Sequence, residues 1–251
     1  PRDDTSVASG RTMTQIAAGK GKAPKPFMTV KSGKADAVWQ SRPNAASTAA
    51  ASPKVSKPKP KATAKATVPK FVPPQLCKLV DRPPQGAGWA HEIKFDGYRI
   101  QMRVEDGKAR LFTRKGLDWT DTFPDIAESG AGLPDAIIDG EIVALDHNGA
   151  PDFAALQAAI SSGETDDLVF FVFDLLFAEG EDLREQALSV RKSRLKNLIP
   201  SGDPRLRYVD HFVTGGDAVL QSACKMDLEG IVSKRLDAPY RSGRSDSWIK
   251  A

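Results

Sequence analysis

From residue 76 onward the apolar and polar positions follow two periods. "WAHEIKF" (89–95) sets bulky and β-branched residues in near-alternation and predicts a strand. "YRIQMRVEDGKARLFTRKG" (98–116) alternates on both sides of "EDGK", which predicts a hairpin. "AIIDGEIVALDHNGAPDF" predicts a second strand pair around "HNGA", and the apolar run "LVFFVFDLLF" a buried strand. "LRYVDHF", "GIVSKR" and "SWIKA" add further strands. Helical spacing appears in three places. "FAALQAAI" aligns Phe153, Leu156, Gln157 and Ile160 on one face. "EQALSVRKSRLKNLI" predicts a basic amphipathic helix with Arg191 and Lys192 on its solvated face, and "GGDAVLQSACKM" a third helix. Trp119 and Trp248 read as packing residues, and His91 as incidental. Strands outnumber helices and come as hairpins, so the pattern predicts an α+β fold with antiparallel sheets, one domain over 76–251.

Residues 1–75 read differently. They hold 14 basic and 3 acidic residues, while the remainder holds 22 basic and 29 acidic, so the net charge of +4 conceals a cationic leader and an acidic body. "AASTAAASPKVSKPKPKATAKATVPKFVPP" is low-complexity sequence whose prolines block helices and whose apolar content cannot offset the entropy of ordering. The expectation is a disordered basic linker over 1–75, with 43–74 its stiff, extended part. It serves either as a solubilising spacer or as a sequence-independent attractor of nucleic-acid phosphates. Upstream, 12–18 could form a short helix, and Trp39 stands isolated.

Composition excludes some classes. No apolar run approaches the ~18–20 residues of a membrane helix, and the start lacks a signal-peptide pattern. Cys77 and Cys224 fit a reducing cytoplasm and form no disulfide framework. His91, His147 and His211 are scattered, against a structural zinc site.

"HEIKFDGYR" (91–99) carries the chemistry. A strand through Lys94 would put Lys94 and Asp96 on one face, while Gly97 lets the chain bend or a ligand approach the backbone. That suits a lysine aimed into a pocket; the plainer alternative is a surface lysine paired with Asp96. The blocks "TRKGLDWTDTFP", "IIDGEIVALD", "VFFVFDLL", "EGIVSKR" and "SWIK" follow in order. With "HEIKFDGYR" they resemble the covalent nucleotidyltransferases, namely ATP-dependent DNA ligases, RNA ligases and capping enzymes. The form of the blocks looks most like the adenylation domain of bacterial DNA ligases of non-homologous end joining. "SVASGRTMTQIAAGK" and "AVWQS" also resemble the segment that precedes the ligase module in such fusions.

The resemblance implies an ATP-grasp-like nucleotidyltransferase domain and a set of roles. Lys94 is the expected nucleophile, attacking the α-phosphate of ATP, expelling pyrophosphate and leaving lysyl–AMP. A free lysine titrates near pH 10.4, so the pocket must favour its neutral form. Arg99 is expected at the AMP phosphate or ribose, Arg114 on the nucleotide, Glu141 on the ribose hydroxyls and Phe173 stacked on adenine. An ion pair between Arg114 and Glu141, and a core position for Phe173, are the bland alternatives. Glu92 reads the adenine amino group, Lys234 and Lys250 grip phosphates, and Glu229 binds Mg²⁺ (or Mn²⁺). ATP is then the cofactor and nicked or broken double-stranded DNA the partner, in the bacterial nucleoid and away from membranes. An end-bridging repair protein is expected from the resemblance alone. The chain stops one residue after Lys250, where the family commonly continues with a second lysine and an oligonucleotide-binding barrel. That barrel (OB-fold) is absent here, and with the start at Pro1 this gives the expectation of a fragment. The alternatives are an RNA ligase or capping guanylyltransferase, or a non-catalytic DNA-end-binding module.

Overall fold

A computed structural model describes residues 66–251. The helix expected at 12–18, Trp39 and the linker up to residue 65 lie outside the described residues.

Two sheets face each other. The larger has the order β4–β3–β5–β6–β7, with β8 beside β6. Its core is β3 (Tyr98–Glu105), β4 (Lys108–Thr113), β5 (Ala136–Val143) and β6 (Val169–Ala178). β7 (Glu181–Asp182) and β8 (Leu206–Tyr208) are short additions. Alternation sorts its two faces. Ile100, Met102 and Val104 of β3 join Ile138, Ile142, Phe170 and Val172 in one buried cluster. Three helices cover it: α1 (Pro124–Ala131), α2 (Phe153–Ser162) and α3 (Leu188–Leu198) contribute Ile126, Leu156 and Leu195. Asp152 caps α2 by accepting from the Ala155 N–H at 2.9 Å.

The smaller sheet runs β1 (Gln75–Leu79), β10 (Gly243–Lys250), β9 (Ile231–Arg235), β2 (Trp89–Ile93). It gathers strands from both ends of the described chain. β1 and β10 pair in parallel, as do β6 and β8; the other pairings are antiparallel. Between the sheets, Ile93, Phe95, Phe171, Phe173, Ile231 and Trp248 form a second buried cluster, to which α4 (Gly216–Lys225) adds Val219 and Ala223.

The α+β expectation with antiparallel sheets flanked by helices agrees with this architecture, and several details differ. The globular part begins before residue 76. Val68 and Val72 are buried, and a row of β3 side chains straps this segment down. Arg103 donates to the carbonyls of Pro69 and Val68, at 2.8 and 3.2 Å. The Gln101 amide accepts from Val72 N–H and donates to Val72 O, both at 2.8 Å. Prolines 69, 73 and 74 cannot join a full ladder, so side chains satisfy the backbone instead. The second hairpin shrinks to a lone bridge, Leu145 to Pro151. The strand expected at 206–212 stops at Tyr208, apart from a bridge between His91 and Phe212.

The helix at 188–198 inverts the expected faces. Arg191 and Lys192 are buried while Val190 is exposed. The cause is Asp174, fully buried in an otherwise apolar strand, where it requires a partner. Arg191 clamps it with two bonds of 2.8 and 2.9 Å, and donates again to the carbonyls of Gln186 and Ala238. His91, read as incidental, is also buried and bonded through Nδ1 to the Ser233 hydroxyl at 2.8 Å.

Candidate active site

The two sheets enclose a cavity of about 350 Å³. Strand register explains its smaller-sheet wall. Lys234 lies opposite both Trp248 and Ala90, and Val232 opposite both Lys250 and Glu92. Directly paired residues project to the same side, so Glu92, Lys234, Trp248 and Lys250 share the cavity face. The facing wall is built by β3, β5 and β6, which deliver Arg99, Glu141 and Phe173. Arg99 and Glu141 are cross-strand partners. Phe173 lies two residues beyond Phe171, the cross-strand partner of Glu141, so alternation puts it on the same face; a register shift that pairs Asp139 with Asp174 and Gly140 with Val172 leaves it without a direct partner.

Lys94, Glu92, Arg99, Arg114, Glu141, Phe173, Lys234 and Lys250 all line this cavity. Glu229 lies beside it, ion-paired to Lys94. Lys94 sits just past β2 rather than within it, and its backbone N–H donates to Gly230 O at 3.0 Å. Asp96 points to solvent, so the Lys94–Asp96 pair does not form. Gly97 is required by crowding: a Cβ there would meet the Ile142 carbonyl at 2.2 Å. That close approach carries the chain from Lys94 directly onto β5.

Glu92 sits between two ammonium groups. Lys192 reaches its Oε1 at 2.6 Å and Lys234 its Oε2 at 2.5 Å, all three side chains buried. Burial opposes the Glu92 charge, but the two lysines outweigh it and hold the carboxyl below its ordinary range. Burial pushes Lys234 down, against the pull of Glu92. The Lys234 ammonium also lies over two aromatic faces, 4.0 Å from the centroid of Phe173 and 4.2 Å from that of Trp248.

Arg99 is anchored before any ligand arrives. It forks onto Asp139 at 2.9 and 2.6 Å and donates to Gln75 O at 2.8 Å. Two of its five N–H groups remain for a ligand. Burial lowers its basicity, but Asp139 more than compensates, and its pKa is raised. Tyr240 completes this cluster by donating to Asp139 at 2.8 Å and accepting from the Gln75 N–H at 2.9 Å. Glu141 behaves oppositely. Burial pushes it up to about 8; Asp139 and Glu229 reinforce that push, and Arg99 and Lys94 only partly oppose it. The shift favours the protonated form, in which Glu141 can donate a hydrogen bond. Arg114 is exposed at the end of β4, lines the cavity and makes no ion pair with Glu141 among the described residues.

Sequence reasoning missed Lys192, for which the pattern holds no signal, and placed Trp248 in packing although it also lines the cavity. The alternation of Trp248 with Lys250 would have revealed the latter. Among the described residues no group of three or more His, Cys, Asp or Glu could hold a metal. The donor set still fits a hard cation that completes its shell with substrate phosphates, for which one or two carboxylates suffice.

The class of protein this fold defines is the DNA ligase domain. The structure superposes on the ligase domain of Mycobacterium tuberculosis LigD with a TM-score of 0.63 and 30% identity, covering 72% of this chain and 59% of that one. A mycobacterial DNA ligase D complexed with ATP and MES gives 0.62 and 29%, covering 72% and 60%. The chain belongs to the ATP-dependent DNA ligase domain family, whose family model matches residues 70–251. It is 45% identical to the multifunctional non-homologous end joining protein LigD of Pseudomonas aeruginosa over 193 residues, 76% of this chain and 23% of that protein. It is 31% identical to the prophage-derived DNA ligase-like protein LigB of Bacillus subtilis, over 72% of this chain and 67% of that one. The chain thus spans about a quarter of the length of the Pseudomonas relative. Among the described residues no helix is long and apolar enough to cross a membrane.

Proposed function

We propose that this domain adenylates itself at Lys94 and passes the AMP to a DNA 5′-phosphate, so that a 3′-hydroxyl can displace it and close a broken strand. The observation that carries the reading is Lys94 in a cavity with ammonium groups on one wall and an aromatic ring on the other. In the first step neutral Lys94 Nζ forms a bond to the α-phosphorus as the bond from that phosphorus to the pyrophosphate oxygen breaks; the nitrogen then sheds one proton to the departing pyrophosphate or to solvent, and the resting ammonium must give up another before it can attack. Glu229, already paired with Lys94, is placed to receive that earlier proton. Lys234 and Lys250 meet the charge that develops on the phosphate oxygens. Phe173 and Trp248 accept the base; a base on the Phe173 face that Lys234 now covers sends that ammonium towards the phosphates. Protonated Glu141 donates to a ribose hydroxyl, and the two remaining Arg99 N–H groups together with Arg114 hold ribose or phosphate. Mg²⁺ or Mn²⁺, when bound beside Glu229 and the phosphates, would neutralise triphosphate charge.

The setting we propose is repair of double-strand breaks in the bacterial nucleoid, with nicked or broken DNA as substrate and an end-bridging protein as partner. Intact-mass measurement after incubation with ATP and Mg²⁺ tests the first step: an AMP-sized gain on a peptide containing Lys94 is expected. An unmodified Lys94 would refute it. Sealing of nicked DNA against nicked RNA separates this reading from an RNA ligase.

A further inference from the structure

We propose that Lys192 is a positioning residue that sets the base selectivity of the pocket, by holding the Glu92 carboxylate as a fixed acceptor for the 6-amino group of adenine. The inference rests on the reading of the cavity as an ATP site. Lys192 does not itself line that cavity. It projects from α3, a hundred positions along the chain from Glu92, and reaches Glu92 Oε1 at 2.6 Å, Val209 O at 3.1 Å and the Tyr208 ring face at 4.8 Å. It is 1% exposed. Isolating an ammonium this thoroughly is costly unless it serves another charge.

The other partner of Glu92 cannot be relied on. Lys234 lines the cavity and stands where phosphates attract it. When it turns to a nucleotide, Glu92 loses the bond at Oε2. Lys192, sealed behind the wall, keeps the bond at Oε1. The carboxylate then stays ionised and oriented, and an ionised carboxylate only accepts hydrogen bonds. Adenine offers an N–H donor at its 6-position. Guanine and hypoxanthine offer an oxygen there, and two acceptors face to face repel. Without Lys192, Glu92 would either take up a proton, becoming a donor as well, or swing to follow Lys234. In both cases the preference for a 6-amino base falls.

The test uses the whole chain carrying K94R, which cannot form the adduct, so that binding alone is read. Affinities for ATP and ITP, which differ only at the 6-position and its N1 proton, are measured by titration. K192M should lower the ATP-to-ITP affinity ratio about tenfold, mostly through weaker ATP binding. K192R, which retains a donor to Glu92, should keep most of the ratio. E92Q should lower the ratio as K192M does, and adding K192M to E92Q should lower it no further. If K192M weakens ATP and ITP equally, or if E92Q leaves the ratio unchanged, the inference is overturned. If K192M does not fold, E92Q and K192R decide the matter by the same readout. A folded K94R chain that binds neither nucleotide overturns the ATP-site reading and this inference together. An unchanged ratio with ATP binding intact removes this inference alone.

Discussion

The two walls of the cavity are made in opposite ways. The larger sheet is assembled from near neighbours: β3, β4, β5 and β6 follow one another and are antiparallel. Its central strand β6 is buried at every position. The smaller sheet joins strands from the two ends of the described chain, and pairs Leu76 with Arg244 and Leu79 with Lys250. Its cavity face carries Lys234 and Lys250, with Lys94 at the end of β2. One wall is built from strands local in sequence around a fully buried central strand, and on the reading above it presents Phe173 to the base and Glu141 to the ribose. The other concentrates cations where a triphosphate would be split. A change in the first should therefore register as lost stability, and a change in the second as lost rate.

Four measurements test that contrast. The largest effect is expected from Lys94→Arg. A guanidinium stays protonated and cannot attack phosphorus, so covalent AMP should vanish while the thermal midpoint and ATP binding persist. Any residual adduct on that variant would place the nucleophile elsewhere. Next comes Arg191→Met, on the larger-sheet side. It strands a fully buried Asp174 and should cost about 3–5 kcal/mol in denaturant unfolding, with little specific effect on adenylation in the molecules that remain folded. A cost under 1 kcal/mol would mean that this wall tolerates an unpaired charge.

Lys250→Met should do the converse, slowing adduct formation about a hundredfold while the unfolding midpoint hardly moves. Equal losses in rate and stability would erase the distinction between the walls. The fourth measurement concerns acid. Burial, aided by Lys192, pushes the His211 imidazole down to about 4. The unfolded chain therefore takes up that proton first, near pH 6.5. The contribution of His211 is complete above that pH and is lost as the pH falls towards 4. The loss should be about 3 kcal/mol. His91, pushed down by burial, acts in the same direction. His211→Gln should flatten the unfolding profile between pH 4 and 6.5, and an unchanged slope would assign the acid sensitivity to other groups.

A smaller effect belongs to neither wall. Removing 43–65 should leave adenylation untouched and reduce DNA affinity at low salt, with a shallower salt dependence. The deletion must stop before residue 66, because Val68 and Val72 are part of the core.

Those two valines show where reading the sequence stopped working. Their surroundings, rich in Pro and Lys, have the composition of a linker, and composition says nothing of Gln101 and Arg103 waiting across the sheet to bond their backbone. The larger sheet was legible because alternation and the "EDGK" turn are local signals, and α2 and α4 because their spacing is regular. The faces of α3 were misread for the same reason: a helix with Arg191 and Lys192 reads as solvated until Asp174 and Glu92, distant in sequence, demand cations. Candidate site residues were found through ordered motifs. The lysine behind Glu92 depends on a pairing that no local window contains.

The parallel pairing of β1 with β10 has a consequence in time. While the chain is being made, Lys94 emerges early, yet its wall cannot close until Lys250 exists to lie beside Leu79. At roughly 5–20 residues per second that interval is on the order of ten to thirty seconds. Throughout it the lysine stands without Lys234 and Lys250 held beside it, so a nascent chain should be unable to load AMP. The competence of the domain would arrive abruptly, when the last strand of the smaller sheet is laid in.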